Sequence, residues 1–377
     1  MLIPLPRIPA WLRVPEIGLV VVVATLGLLL TVFGGTVQVP VFDLQPDGTR
    51  VRRVTTDSTG AEVPILEERN NFLNTQNLAQ LAKDTSFIAI MAIGMTFVIV
   101  AGQIDLSIGS TYALSGVLGA LVLHHFGPGG QASNTGMGIP LGLLACLGVG
   151  LAAGLANGMM VTALRVHPFI ITLGTMAIFR GIAFVVTQGQ SIGEFPPDLA
   201  GFIKWQTPGG LTLVPMGVMM LVAVFGGLFL TYSTAGRRVY AVGGNELASR
   251  YSGLAVQRIK LGVFVLSGLS AGVSAILSLG YYGAATSGDG QGYELSVIAA
   301  VVVGGASLSG GRGSALGALL GALIIQMINS GIVILRIDQN YSQIIIGMAV
   351  IAAVLIDQLN GWWMRRQGRG GQGRVEK

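Results

Sequence analysis

Ten apolar runs of roughly membrane-spanning length are the dominant feature of this 377-residue sequence. A helix needs about 20 mostly apolar residues to cross a bilayer, so the runs predict a polytopic membrane protein. Charged residues make up only 10% of the chain, against about a quarter in ordinary soluble domains, which excludes a soluble fold of this size. The runs cover residues 16–34, 86–101, 106–124, 138–164, 167–187, 211–232, 261–282, 293–308, 313–335 and 341–360, of which 86–101 and 293–308 are short.

Basic residues indicate the orientation, because short cytoplasmic loops retain Lys and Arg. With the N-terminus inside, most basic residues fall in predicted inner segments, above all 233–260 and the tail 361–377. The predicted outer segment 35–70 carries a net charge of −2. We therefore expect a multi-pass membrane protein with both termini cytoplasmic. The formal net charge of +5 reflects this loop bias and not a nucleic-acid surface.

Two parts of the chain resemble each other. Asp105 and Ser107 follow a glycine in the first half, as Glu294 and Ser296 do in the second, and the two acids are 189 residues apart. The motifs Asn157…Leu-Arg-Val and Asn329…Leu-Arg-Ile repeat in the same order. Matching elements are five spans apart, an odd number, so the second copy is inverted. The sequence predicts an all-α fold of about ten transmembrane helices in two inverted five-helix repeats.

The chain divides into seven segments on this basis. They are an N-terminal tail and first span (1–34), an outer insertion with an amphipathic lead-in (35–85), first-half core spans (86–187), an outer loop and sixth span (188–232), a cytoplasmic loop (233–260), second-half core spans (261–360) and a basic cytoplasmic tail (361–377).

Intramembrane polar residues are candidates for function, because they are costly in lipid. Asp105 and Glu294 are interpreted either as helix caps or as borders of a translocation pathway, and both roles are compatible. Arg180, inside the fifth predicted span, either pairs with one of these acids or extends to the outer headgroups. Glycines spaced by four residues at 150–158 and 313–321 predict close helix packing.

Catalytic signatures are missing from the sequence. No zinc-protease, hydrolase or Walker A motif occurs, and none of the four lysines follows a glycine as a P-loop requires. The single Cys146 excludes a disulfide framework and a cysteine-based zinc site. We expect no enzyme activity, no metal and no cofactor.

The loop 233–260 is the most informative soluble segment. Asn245 can cap a short helix that Gly253 ends, with Glu246 and Ala248 in its first turn. Such a helix suits docking into a groove of a cytoplasmic partner. The alternative is a solvated loop whose arginines serve only the topology.

Several motifs resemble the permease subunits of bacterial ATP-binding-cassette importers for simple sugars of the ribose, xylose, arabinose and galactose type. They are GQIDLSIG at 102–109, HPFIITLGT at 167–175, GGNE at 243–246, GYELSVIAA at 292–300 and GGASLSGG at 304–311. The resemblance spans about residues 86–360. Gln103 departs from it, since family members usually have glycine there.

This resemblance implies a location in the bacterial inner membrane, a pair of permeases, two cytoplasmic ATPase subunits and a periplasmic sugar-binding protein. It also implies that residues 245–253 form the coupling helix on the ATPase. For the sugar pathway we select Asp105, Ser107, Asn157, Phe169, Thr172, Glu294 and Ser296.

Three alternatives stay open. An ion-coupled secondary transporter also uses inverted repeats and broken helices. A channel or structural membrane protein would need only stable spans, and importers of nucleosides or sugar-like signalling molecules share much of the permease pattern.

The outer insertion generates a prediction of its own. A turn at Pro46, between Val- and Phe-containing flanks, predicts a β-hairpin, and we expect the insertion to form a small cap that contacts the binding protein. Deletion of 42–64 should weaken docking of the loaded binding protein to the purified permease complex. Unchanged affinity in a surface-binding assay would contradict this role.

Overall fold

The structure is a computed structural model, and it describes residues 15–44, 50–56, 60–128, 130, 135–207, 210–349, 351–352 and 355. The chain is mostly helical. Its α-helices are α1 (Pro15–Phe33), α2 (Thr75–Val100), α3 (Ile108–His125), α4 (Thr135–Leu164), α5 (Pro168–Thr187), α6 (Pro197–Ile203), α7 (Leu213–Tyr232), α8 (Thr234–Gly244), α9 (Glu246–Tyr251), α10 (Val256–Tyr282), α11 (Tyr293–Val303) and α12 (Ala315–Ile334). A 3₁₀ turn, Gln339–Tyr341, leads into helical residues 342–349.

Seven helices of the described part of the chain are long and apolar enough to cross a membrane: α1, α2, α4, α5, α7, α10 and α12. A multi-pass, mainly α-helical membrane protein is therefore confirmed. The predicted short span 86–101 is present as part of α2, a 26-residue helix that is long enough to cross a membrane; only its predicted start is wrong, because the helix begins at Thr75. The other short run, 293–308, does contain a short helix, the 11-residue α11. The last predicted run lies partly outside the described residues.

The described part of residues 36–70 forms a ladder of short antiparallel strands. β1 (Thr36–Pro40) pairs with β6 (Leu66–Asn70), β2 (Phe42–Leu44) with β3 (Arg50–Arg52), and β4 (Val54–Thr56) with β5 (Glu62–Pro64). The strands flanking the predicted turn thus pair as a hairpin, while residues 45–49 themselves lie outside the described residues. Asn70 fastens the ladder to α1 by donating to the Thr31 carbonyl at 2.9 Å.

Glycines set the distance between α4 and α10. A Cβ placed on Gly154 would lie 2.5 Å from the Phe264 carbonyl oxygen, and one on Gly158 would lie 3.0 Å from the Leu261 Cα. The second predicted ladder has the same effect between α11 and α12, where Gly321 faces the Ala300 backbone. Since lipid offers no hydrophobic drive for helix association, close van der Waals contact has to supply the attraction.

The bundle has two ends, identified by their contacts. At one, which we call the α9 end, Tyr240 of α8 donates to the Gly313 carbonyl at 2.6 Å and Ser314 donates to Glu16 at 3.0 Å. At the other, the hairpin end, Ser330 of α12 donates to Asn77 of α2 at 3.1 Å.

Helix α8 was not predicted, because the residues before Asn245 were interpreted as part of a loop. Ser233 caps it by accepting from the Gly236 N–H at 2.8 Å, and three of its residues are buried. Burial of this amphipathic face outweighs the low helix propensity of glycine.

The α4–α10 contact yields a test of this packing. Gly154→Ala should destabilise the protein by about 1–3 kcal/mol, because the new methyl group overlaps backbone that cannot rotate away. Gly148→Ala on the same helix is the matched control, since no atom lies within 4 Å of its Cβ position. The measurement is the thermal unfolding midpoint in detergent. The tagged protein is heated, and the fraction that stays folded is read by size-exclusion chromatography. Equal midpoints for both variants would refute the close contact.

Candidate functional site

A buried hydrogen-bond network surrounds Asp105 in the break between α2 and α3. One carboxylate oxygen, Oδ1, accepts from the Ser107 N–H at 2.9 Å and from Ser107 Oγ at 2.6 Å. The other, Oδ2, accepts from Ser267 Oγ of α10 at 2.8 Å. Asn157 of α4 extends the network by donating to Ser107 Oγ at 2.7 Å. All four side chains are buried, so the network joins three helices away from solvent.

Asp105 does not cap the first turn of α3, because it accepts from Ser107, the N-cap residue itself, whose side chain makes no capping bond. It holds this residue in place before the helix begins and also reaches a second helix, α10. The sequence reasoning missed Ser267. A signal was present, because Ser267, Ser270, Ser274 and Ser278 recur at helical spacing on one face of α10 and all are buried. Ser274 uses this face to donate to the Phe87 carbonyl of α2 at 3.0 Å.

Two of the selected pathway residues sit on α5 in different surroundings. Thr172 is fully buried and donates to the Pro168 carbonyl at 2.9 Å, with the Ile104 carbonyl 3.4 Å away. This places Thr172 beside the α2–α3 break. Phe169, one turn earlier, is 44% exposed and lies outside the Asp105 network.

Arg180 is held by backbone and not by a carboxylate. Its guanidinium donates to the carbonyl oxygens of Ser287 (2.7 Å) and Asp289 in the loop before α11. Among the described residues, no ion pair links Arg180 to Asp105 or Glu294. The Asp289 carboxylate is occupied by Thr286, accepting from its N–H at 2.9 Å and its hydroxyl at 2.7 Å.

Arg180 and Glu294 nevertheless line one cavity of about 480 Å³, which we call the Arg180 cavity. Phe184 contributes an aromatic ring and Gln291 a carboxamide. Glu294 Oε2 is buried without a hydrogen-bond partner among the described residues. The oxygen lies against Gly109 of α3, whose Cβ position is 2.5 Å from it. Ser296 is buried in the next turn of α11 and is not among the lining residues.

The predicted short helix is present as α9. Asn245 caps it by accepting from the Ala248 N–H at 2.9 Å, and Gly253 follows with φ +78°. Glu246 accepts from Lys260 of α10 at 2.9 Å and from Arg250 at 3.2 Å. The hydrogen bond from Lys260 lowers the pKa of Glu246, against the opposing effect of partial burial, so the carboxylate stays ionised at neutral pH.

A second cavity, of about 410 Å³, lies between α9 and the Asp105 break. Gln103, Arg165, His167 and Lys260 contribute to its wall. Gln103 Oε1 is buried and unpartnered among the described residues. The position that departs from the family resemblance therefore lines the route between the break and α9.

The site's chemistry suits binding and not bond cleavage. Within the described ranges no group of His, Cys, Asp and Glu could hold a metal ion. The Arg180 cavity offers one guanidinium, one carboxylate, an amide and a hydroxyl. The cavity beside α9 is more strongly charged, with Arg165, Arg250, Lys260 and Glu246 in its wall. A few polar groups of this kind orient a polar ligand.

Residues 77–354 match the family model described as the permease component of branched-chain amino acid transport systems. The chain belongs to this family of transport permeases. Its resemblance to importer permeases, stated on the motifs above, is thereby confirmed. The ion-coupled transporter and the channel are not favoured by this membership.

Characterised relatives cover most of the permease. The ribose import permease protein RbsC of Escherichia coli K12 is 38% identical over 292 residues, 76% of this chain and 87% of the relative. The D-allose transport system permease protein AlsC of the same organism is 36% identical over 291 residues, covering 76% and 85%. The autoinducer 2 import system permease protein LsrC of Yersinia enterocolitica is 33% identical, covering 76% of each. No solved structure matches the chain significantly.

The contact between Gly109 and Glu294 yields a functional test. Gly109→Ala would place a methyl group against Glu294 Oε2 and within 2.6 Å of the Gly290 carbonyl oxygen, displacing the wall of the Arg180 cavity. We expect the initial transport rate of the assembled transporter to fall about tenfold at equal membrane expression, the effect of about 1.4 kcal/mol. Gly116→Ala, two turns further along α3, is the matched control, because the atom nearest to its Cβ position is 4.0 Å away. This variant should keep the normal rate. Equal rates for the two variants would show that the cavity tolerates the change.

Proposed function

We propose that this permease translocates a monosaccharide as part of an ATP-driven importer. Two permease copies would form the membrane unit, with two ATP-binding-cassette subunits on the cytoplasmic side and a periplasmic sugar-binding protein delivering the substrate. The names of the 38% and 36% identical relatives, a ribose and a D-allose permease, support a sugar over the signalling molecule named for the 33% identical one.

The Arg180 cavity supports a polyhydroxylated substrate. Arg180 offers N–H donors, Gln291 both donors and acceptors, and the unpartnered Glu294 oxygen a strong acceptor. Phe184 adds an apolar face. We place Asp105, Ser107, Asn157 and Thr172 as the groups that shape the adjacent break, and Ser296 and Phe169 as flanking residues of the pathway.

Helix α9 carries the proposal that a cytoplasmic ATPase drives the protein. Leu247 and Tyr251, one turn apart, have 61% and 82% of their surface exposed. An exposed apolar pair at this spacing on a capped helix is the pattern by which a helix docks in a partner's groove. The Glu246–Lys260 bond fixes the helix to α10. A force applied to α9 would thus reach α10, whose Ser267 holds Asp105 two turns further along.

The same proposal includes the finer architecture: ten spans in two inverted five-helix repeats, with both termini cytoplasmic and the hairpin end outside. Arg165 and Arg336 support the repeat, because each follows the end of a matching helix, α4 or α12, in the left-handed conformation (φ +53° and +55°). Left-handed backbone is uncommon for arginine, so its recurrence at both repeat positions argues for related local structures. The segment boundaries given from the sequence belong to this proposal.

The decisive experiment is co-purification from the native membrane in mild detergent, followed by reconstitution with a binding protein. We expect an ATPase subunit with a Walker A motif in stoichiometric amount, and ATP-dependent uptake of one sugar from a panel of D-ribose, D-allose, D-xylose, L-arabinose and D-galactose. A lone protein that moves solute down an ion gradient would refute the proposal.

Coupling through α9 is tested by charge exchange. Glu246→Lys should abolish ATP-driven uptake without loss of expression, because the new lysine would repel Lys260 and Arg250, the two cations that now pair with Glu246. The double variant Glu246→Lys/Lys260→Glu restores an opposite-charge pair and should recover part of the uptake. Asp198→Lys, an exposed charge reversal in the first turn of α6 at the hairpin end, is the control. Full activity of the single variant would exclude a coupling role for this bond.

A further inference from the structure

A third cavity, of about 550 Å³, lies at the hairpin end and takes no part in the site described above. It is enclosed by α2, α12 and the segment after α12, and we call it the amide cavity. Five carboxamide side chains line it: Asn77, Gln80, Gln326, Asn329 and Gln339. Its volume lies within the range of about 300–1,000 Å³ that is typical of small-molecule sites.

Hydrogen bonds between the lining residues orient these amides. Asn329 Nδ2 donates to Gln326 Oε1 at 2.7 Å, and Asn329 Oδ1 accepts from Ser342 at 2.9 Å. Asn77 Oδ1 accepts from Ser330 at 3.1 Å. A carboxamide has two N–H donors and two acceptor positions, so each of these bonds uses only part of the group's capacity. The amides are therefore fixed in position and still able to bind a ligand.

The charge of the cavity is balanced within the protein. Asp84, the acid in its wall, pairs with Lys83 at 3.0 Å and accepts from Gln80 at 3.0 Å. Lys83 is itself buried, with its ammonium 4.1 Å from the centre of the Tyr281 ring. A cationic or anionic ligand would meet a site whose charges are already matched. Neutral donors and acceptors at high density suit a ligand with many hydroxyl groups.

The placement of the cavity matches that of the cavity beside α9. The last turn of α4, with Val161 and Thr162, lines the cavity at the α9 end, and the last turn of α12, with Ile332 and Val333, lines the amide cavity at the hairpin end. In each helix the two residues lie four and three positions before the left-handed arginine that follows it, Arg165 or Arg336. The two halves of the chain thus form similar cavities at opposite ends of the bundle.

We propose that the amide cavity is a binding site for one neutral polyhydroxylated solute, which it holds at the entrance of the permease before the Arg180 cavity. The site rests on the proposed function for its ligand class. Intramembrane polar side chains are costly, and a single amide pair would be enough to join α2 to α12. Three half-buried amides (Asn77, Gln326 and Asn329) exceed that structural need, and the exposed Gln80 and Gln339 add two more at the cavity. Together they provide the donors and acceptors that a sugar requires.

Cysteine protection tests the site directly, since the single native Cys146 is buried. We would prepare Ser330→Cys in the full permease complex in lipid nanodiscs, where both faces are accessible, and label it with a charged maleimide. The sugar found to be transported, at saturating concentration, should slow labelling at least fivefold relative to sugar-free buffer. Gln190→Cys, exposed at the same end but outside the cavity, is the control and should label at an unchanged rate.

Gln326→Leu removes one amide at nearly constant volume and provides a second measurement that does not depend on the cysteine. We expect the binding of radiolabelled sugar to the nanodisc complex to weaken about tenfold, with Gln190→Leu unchanged. If a sugar is taken up but the cysteine at position 330 is unreactive or is not protected, the site is overturned and the proposed function stands. Protection of the cysteine at position 190 as well would have the same meaning. Failure of all five sugars in the uptake assay would overturn both.

Discussion

A carboxylate buried among membrane helices is stabilised by a hydrogen-bond donor to each of its oxygens, because burial removes the bulk water that would otherwise solvate the charge. Asp105 meets this requirement with three donors from two separate parts of the chain, its own Ser107 and Ser267 of α10. Asn157 adds α4 through Ser107. The start of α3, the second half of α4 and the middle of α10 are thereby held in one arrangement.

Such a network can form only if the backbones approach closely enough for short side chains to meet. Gly154 and Gly158 allow this between α4 and α10, and Gly321 allows it between α11 and α12. The same absence of side chains brings Gly109 of α3 against Glu294 of α11. Packing density and polar chemistry are therefore coupled in this permease, because a single added methyl group at these positions displaces either a helix or a polar group of the pathway.

Helix α10 connects the exposed and the buried parts of the protein. Lys260 at its start binds Glu246 of α9, and Ser267 further along binds Asp105. A stiff helix with bonds at both places can carry a displacement from a partner ATPase to the α2–α3 break. Cavities at both ends of the bundle, one beside the last turn of α4 and one beside the last turn of α12, suit a protein that exposes its pathway to one side at a time.

The sequence by itself determined the features that depend on neighbouring residues. The length of the apolar runs predicted the membrane helices, and the spacing of the glycines predicted the close helix contacts. Asn245 and Gly253 predicted the bounds of α9. It did not predict α8, whose burial outweighs its glycines, nor that 86–101 continues a longer helix. The partners were decided only by the tertiary structure. Ser267 is 162 residues from Asp105, and Arg180 binds backbone carbonyls, which every residue has and no sequence pattern marks. Local composition fixes where helices form, whereas the packing of distant helices decides which polar groups meet.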